Sequence, residues 1–222
     1  MKNTIIGAIG EMFCPQSCIS CGKVGGLLCE CCKKYIMAGN NWRCLRCGKM
    51  LNCGICCGCG LPFRRQYYLG ERDGLLKELV SLYKYQSMRS CATVFADLFF
   101  KMFGAFACGK VLIPLPTIEK HIRSRGFDHT ILLARRIMWR CGGRCERLLR
   151  RQNNTVQVGA NAEMRQRQAA SAYALAAAVD KKTEYVLLDD VWTTGSSMLA
   201  ACAELQKAGA EKISVVLIAR SG

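Results

Sequence analysis

Twelve of the chain's seventeen cysteines fall between Cys14 and Cys59, and most of them come in pairs. Two residues separate Cys18 from Cys21, Cys29 from Cys32, Cys44 from Cys47 and Cys53 from Cys56, and Cys56 stands at the same spacing from Cys59. That spacing lets one turn aim two thiolates at a single ion, and two such turns complete a tetrahedron of zinc ligands. Gly22 and Gly48 directly follow the second cysteine of their pairs, where a tight turn directs backbone N–H groups at sulfur. Between the cysteines lie mainly Gly, Asn and Lys, too little apolar material for a core, so this segment needs metal to fold. The expected ligand sets are Cys18, Cys21, Cys29 and Cys32 for one zinc ion, and Cys44, Cys47, Cys53 and Cys56 for a second. At the second site the choice between Cys53/Cys56 and Cys56/Cys59 stays open, and an all-cysteine set also suits an iron–sulfur cluster. Four thiolates leave no open position for a substrate, so both sites read as structural.

Disulfides are the other use of so many thiols, and they belong to oxidising compartments. Residues 1–13 make a poor secretory leader: the apolar stretch at 5–9 is short, Glu11 interrupts it, and no small-residue cleavage site follows. Ile5, Ile6, Ile9, Met12 and Phe13 instead fit a short amphipathic helix. No run approaches the roughly 18 apolar residues of a membrane span; residues 96–108 are broken by Asp97 and Lys101. The expectation is a cytoplasmic protein with reduced thiols and no membrane insertion.

The chain has 222 residues, 51% of them hydrophobic, enough for one ordinary core plus a small module. The expected division is an N-terminal helix and double zinc ribbon at 1–62, followed by an α/β domain at 63–222. Residues 74–106 carry apolar side chains at helical spacing, and so do 131–139. Residues 111–113 read as a short buried strand stopped by Pro114 and Pro116. Residues 185–188 read as a strand, 197–208 as a helix ending at Gly209, and 213–219 as another strand. Strand, helix, strand over so short a stretch is a βαβ unit and implies a parallel sheet.

Lys and Arg total 32 against 16 Asp and Glu, an excess of +16 that points to an anionic partner. Residues 120–151 hold ten basic and two acidic side chains, half of that excess. Arg136, Arg140, Arg144 and Arg147 are the candidate contacts to single-stranded DNA through its phosphates. The competing reading gives Arg123 and Arg125 to a small anion and leaves the other arginines on a solvated helix face.

The run Tyr185-Val186-Leu187-Leu188-Asp189-Asp190-Val191-Trp192-Thr193-Thr194-Gly195-Ser196-Ser197 carries the most chemistry. A strand ends in two acids and passes through a hydroxyl-rich loop into a helix. Free N–H groups at a helix start seat a phosphate, Thr193, Thr194, Ser196 and Ser197 add hydroxyls, and Gly195 lets the backbone close round the anion. Asp189 and Asp190 can accept hydrogen bonds from a cis-diol; a magnesium-binding or phospho-acceptor pair is the alternative. Neither a Walker A loop nor a dinucleotide fingerprint is present. Trp192 reads as a packing residue. His129, one of two histidines, either contacts a ligand or stands exposed.

This run resembles the phosphoribosyl-pyrophosphate (PRPP) motif of type I phosphoribosyltransferases. Ile113-Pro114-Leu115-Pro116 followed by Arg123-x-Arg125-Gly126-Phe127-Asp128-His129 resembles a region of the ComF family. So do Lys84-Tyr85 and the stretch from Arg151 through Gln157, Arg165 and Gln168 to Tyr173. The family's Asn-Gln is Asp128-His129 here, and its closing Thr is Ser197. The resemblance implies a phosphoribosyltransferase-like sheet behind an N-terminal zinc ribbon. It implies Asp189 and Asp190 as the catalytic pair on the ribose hydroxyls, and Thr193, Thr194, Gly195, Ser196 and Ser197 on the 5′-phosphate. Pro114, Leu115 and Pro116, with Arg123, Arg125 and Arg165, would meet pyrophosphate together with Mg²⁺. It further implies a role in natural competence, with incoming single-stranded DNA and a competence helicase or DNA-processing protein as partners.

Overall fold

A computed structural model describes residues 17–38, 43–51, 54–55, 58–152 and 172–221. The helix expected at 1–13 lies outside them. In chain order the elements are helix α1 (Glu30–Ala38), strand β1 (Arg65–Glu71), helices α2 (Gly74–Tyr85) and α3 (Cys91–Phe103), strand β2 (Val111–Pro114), and helices α4 (Glu119–Arg125) and α5 (His129–Cys141). Short strands β3 (Arg144–Cys145), β4 (Leu149–Arg151) and β5 (Tyr173–Leu175) follow, then strand β6 (Glu184–Trp192), helix α6 (Ser196–Lys207) and strand β7 (Lys212–Arg220).

The expected α/β class with a parallel sheet is what the chain forms. Five strands pair in the order β1-β7-β6-β2-β3, every neighbouring pair parallel, and β4 and β5 make a separate antiparallel pair. The central strands are apolar at successive positions because both faces of the sheet are covered. Val186 and Leu188 enter one core with Val216 and Ile218, beneath α2, α3 and α5. Tyr185 and Leu187 enter the other with Val215 and Leu217, beneath α6 and the β4–β5 pair.

Two boundaries differ from the expectation. The helical run at 74–106 is two helices, broken where Ser87 takes a left-handed φ of 55°. Strand β6 runs past Leu188 through both acids to Trp192, because β7 pairs with it along that whole length: Asp189 stands opposite Leu217 and Trp192 opposite Arg220. Backbone pairing with a long neighbour overrides the loss of apolar character at Asp189.

Strands β2 and β6 are neighbours, paired from Val111 opposite Tyr185 to Pro114 opposite Leu188. After β2 the chain passes to α5, whose Leu133, Ala134 and Ile137 pack on one face. After β6 it passes to α6, whose Met198, Ala201 and Leu205 pack on the other. Adjacent parallel strands whose connections leave to opposite faces open a crevice at their carboxyl ends, where open α/β sheets hold ligands.

The cysteine-rich segment sits on this body. Cys18, Leu27, Leu28 and Ile36 belong to the core under α2 and α3. Lys33 of α1 pairs with Asp97 of α3 at 2.8 Å, and Asp97 also takes Arg140 of α5 at 2.9 Å. Lys101 and Glu30 join the same cluster. Lys33 and Asp97 at its centre are largely shielded from water while Glu30 and Arg140 at its edge are exposed, and the basic partners hold the Asp97 carboxyl below its ordinary range against the opposing effect of burial. Among the described residues no helix is long and apolar enough to cross a membrane.

Candidate functional site

The first cysteine set closes as its spacing predicts. The sulfurs of Cys18, Cys21, Cys29 and Cys32 all lie within 4.8 Å of one another, and those of Cys21 and Cys29 are 3.6 Å apart. Zinc–sulfur bonds of about 2.3 Å in a tetrahedron set ligand sulfurs about 3.8 Å apart, so the donors fit the ion. The turn that presents them bonds Gly22 N–H to Cys18 C=O at 2.8 Å and Cys18 N–H to Lys23 C=O at 2.9 Å. It needs Gly22 at a φ of 73°. Burial pushes the Cys18 thiol up, but N–H groups of Cys29, Cys21 and Ser20 more than offset that and hold it down to about 6.

The second set repeats the turn at Cys44, with Gly48 N–H on Cys44 C=O and Cys44 N–H on Lys49 C=O. Cys44, Cys47 and Cys59 converge within 4.8 Å, with Cys44 and Cys59 sulfurs 3.7 Å apart. Cys53 and Cys56 lie outside the described residues, as does Arg165. Both clusters can hold zinc.

The β2–β6 crevice is a cleft of about 240 Å³. Leu115, Pro116 and Thr117 from the end of β2 line it, with Asp189, Asp190 and Ser197 across from them. Lys84, His121, Arg125, His129, Arg151 and Tyr173 complete its wall. Beside it a hollow of about 50 Å³ is bounded by Asp189, Thr193, Thr194, Gly195, Ser196 and Ser197. This hollow is an anion cradle in its chemistry: four hydroxyls and the first N–H groups of the twelve-residue α6 surround it. Gly195 takes a φ of 76°, and a Cβ there would sit 2.2 Å from the Trp192 ring. Trp192, 5% exposed, packs edge-on to Phe63 and so forms the floor against which the loop closes.

Asp189 and Asp190 have different surroundings. Asp189 Oδ1 accepts the Asp190 N–H at 2.8 Å. Asp190 Oδ2 lies 2.8 Å from Lys84 Nζ and 2.6 Å from His129 Nε2. Burial and the Asp190 charge push the Asp189 carboxyl up to about 7. Burial also acts on Asp190, but the His129 hydrogen bond and the Lys84 charge outweigh it and hold that carboxyl below the usual range.

The predicted arginines divide. Arg125 is half-buried, donating from Nε to the Lys84 carbonyl at 2.5 Å and from Nη1 to His129 Nδ1 at 2.8 Å. Arg123 is exposed and pairs with Glu119 one turn away. Arg136, Arg140, Arg144 and Arg147 are exposed and do not line the cleft. Arg140 pairs with Asp97, and Arg144 pairs with Glu146 at 2.8 Å. Arg136 and Arg140 border, with the exposed Trp139, a separate groove of about 530 Å³ between α1, α3 and α5. His129 is buried, 5% exposed, and belongs to the site. Lys84 and His129 stand in motif stretches, but no local pattern marks an acid partner so distant in the chain as Asp190.

No protein-family model and no curated protein sequence matches this chain. Solved structures similar to it include a hypoxanthine phosphoribosyltransferase from Staphylococcus aureus, at 10% identity and a TM-score of 0.33, the match covering 66% of this chain and 66% of that one. A purine phosphoribosyltransferase from Pyrococcus horikoshii Ot3 is similar at 11% identity and a TM-score of 0.30, over 70% of this chain and 87% of that one.

Elemental analysis of protein purified without added metal should find two zinc ions per chain. Cys59→Ser should lower that to one, whereas Cys31→Ser, outside both clusters, should leave two. Iron with a visible absorption band, or full zinc in Cys59→Ser, would contradict these assignments. The acid pair yields a pH test. Between the ordinary carboxylate range and about 7, Asp189 binds its proton more tightly folded than unfolded, so stability falls as pH rises through that window. Asp189→Asn keeps the oxygen that accepts the Asp190 N–H. In zinc-saturated protein it should raise the unfolding midpoint more at pH 8 than at pH 5.5; equal gains would mean that Asp189 ionises without cost.

Proposed function

We propose that the β2–β6 cleft binds the magnesium complex of PRPP, and that the protein is a phosphoribosyltransferase-like protein of the ComF kind. The observation that carries this reading is the crevice itself, in which an acid pair and a phosphate-sized cradle stand side by side. The 5′-phosphate dianion sits at the 193–197 loop, neutralised by the start of α6 and bonded by its hydroxyls. Asp189 and Asp190 accept from the two ribose hydroxyls. The diphosphate lies toward Pro116, Thr117 and the α4 arginines, where a planar guanidinium matches phosphate oxygens.

Mg²⁺ bound with the substrate would supply charge neutralisation for the pyrophosphate leaving group. The protein's own part in displacement at the anomeric carbon is orientation and electrostatics. The acids fix the ribose, the cradle fixes its 5′ end, and the developing positive charge on the sugar ring faces the two carboxylates. Such a division of labour is catalysis by position. A competence role, in cytoplasmic handling of incoming single-stranded DNA, rests on the motif resemblance and on the basic segment at 120–151.

Isothermal calorimetry with Mg²⁺ and PRPP tests the site. Asp189→Ala combined with Asp190→Ala removes two charge-assisted hydrogen bonds worth about 3 kcal/mol together, and should weaken binding more than about 100-fold while both zinc ions remain. Pyrophosphate release with a panel of nucleobases then separates an enzyme from a binding protein. Unchanged PRPP affinity in the double variant would overturn the assignment.

A further inference from the structure

Lys84 enters the acid site twice. Its carbonyl accepts Arg125 Nε–H, and its ammonium reaches Asp190. Between these ends lie Arg125 Nη1 on His129 Nδ1 and His129 Nε2 on Asp190 Oδ2. The four residues therefore close a ring, from the main-chain carbonyl of Lys84 through the Arg125, His129 and Asp190 side chains back to the Lys84 ammonium.

The ring has a direction. A guanidinium has donors and no acceptor, so His129 Nδ1 must accept from Arg125. The imidazole proton then lies on Nε2 and is donated to Asp190. The main chain of His129 is held in place as firmly as its ring. Asp128 caps α5 by accepting the Thr130 and Ile131 N–H groups, Thr130 Oγ1 donates to the Leu115 carbonyl, and Tyr83 Oη donates to the His129 carbonyl at 2.6 Å. His129 is thus tied to the end of β2, to α2 and to α4 at once.

The consequence falls on one oxygen. Asp190 Oδ2 receives two donors, which uses its lone pairs and fixes the rotation of the carboxylate. Oδ1 takes no partner among the described residues and is left for a ligand. Arg125 commits two of its five N–H donors to the ring, one to the Lys84 carbonyl and one to His129.

We infer that His129 and Arg125 are positioning residues, which orient the Asp190 carboxylate toward the ribose diol. This rests on the PRPP reading above. It assigns the buried histidine a single task, that of passing a hydrogen bond from arginine to aspartate. An amide offers the same one acceptor and one donor. Leucine offers neither.

The test combines substitution with a spectroscopic signature. Long-range ¹H–¹⁵N correlation on zinc-loaded protein should show His129 protonated at Nε2 and bare at Nδ1. Calorimetry with Mg²⁺ and PRPP should find His129→Gln within about threefold of the unmodified chain and His129→Leu weaker by about tenfold or more. Arg125→Gln should weaken PRPP and ribose 5-phosphate alike. If His129→Leu fails to fold, Lys84→Met, which opens the ring at its other end, must show the same loss. An unmodified chain that does not bind PRPP overturns the ribose-diphosphate reading and this role with it. Binding by the unmodified chain with full affinity in His129→Leu or Lys84→Met, or a proton found on Nδ1, overturns the positioning role alone.

Discussion

The pairing of β2 with β6 is the constraint on which the site depends. Their connections leave the sheet on opposite faces, α5 to one core and α6 to the other, and the covering layer parts between them. The acid pair and the anion cradle are delivered to that gap by the ends of these two strands, Leu115 to Thr117 from one and Asp189 to Ser197 from the other, and Lys84, Arg125 and His129 reach it from the helices. The length of β7 matters as much. Because it pairs with β6 past Leu188, Asp189 and Asp190 are carried on ordered strand and not on a loose loop, and their carboxylates stand at defined depths. Asp190 is driven into the protein, where Lys84 and His129 compensate its charge. Asp189 is left to the combined effect of burial and a neighbouring anion.

The cysteine-rich segment relates to this body through packing and charge. Its apolar residues are few, but Leu27, Leu28 and Ile36 are spent on the core beneath α2 and α3 and not on one of their own. Lys33, Asp97 and Arg140 then lock α1 to α3 and α5. A metal-closed turn supplies the order that so small a segment cannot reach by burial, and the ion cluster fixes how it sits. The same turn appears twice, at Cys18 and Cys44, with the same pair of backbone hydrogen bonds and a left-handed glycine after the second cysteine.

Local pattern made much of this legible. The cysteine spacing pointed to the first cluster, the apolar runs to β6, α6 and β7, and the acid–hydroxyl–glycine sequence to the anion cradle. What remained hidden depended on partners far apart in the chain. His129 lies 61 residues from Asp190, and nothing within a few residues of a histidine tells whether a distant strand brings it an aspartate. Lys84 and Arg125 are likewise made by topology: α2 and α4 meet only because both flank the gap above β2. The break near Ser87 falls in the mostly polar stretch 84–90, between two apolar runs that each keep helical spacing, and a serine at a left-handed φ carries no glycine to announce it. Cys59 could be drawn into the second cluster only as one of two spacings, and the fold brings its sulfur to Cys44.

A crystal structure with Mg²⁺ and a non-hydrolysable PRPP analogue tests the central claim most directly. The account predicts the 5′-phosphate within hydrogen-bond distance of the 193–197 loop, both ribose hydroxyls on Asp189 and Asp190, and the Lys84–Asp190–His129–Arg125 ring intact. An analogue bound away from the β2–β6 crevice, or seated there with its sugar hydroxyls turned from both acids, would contradict it.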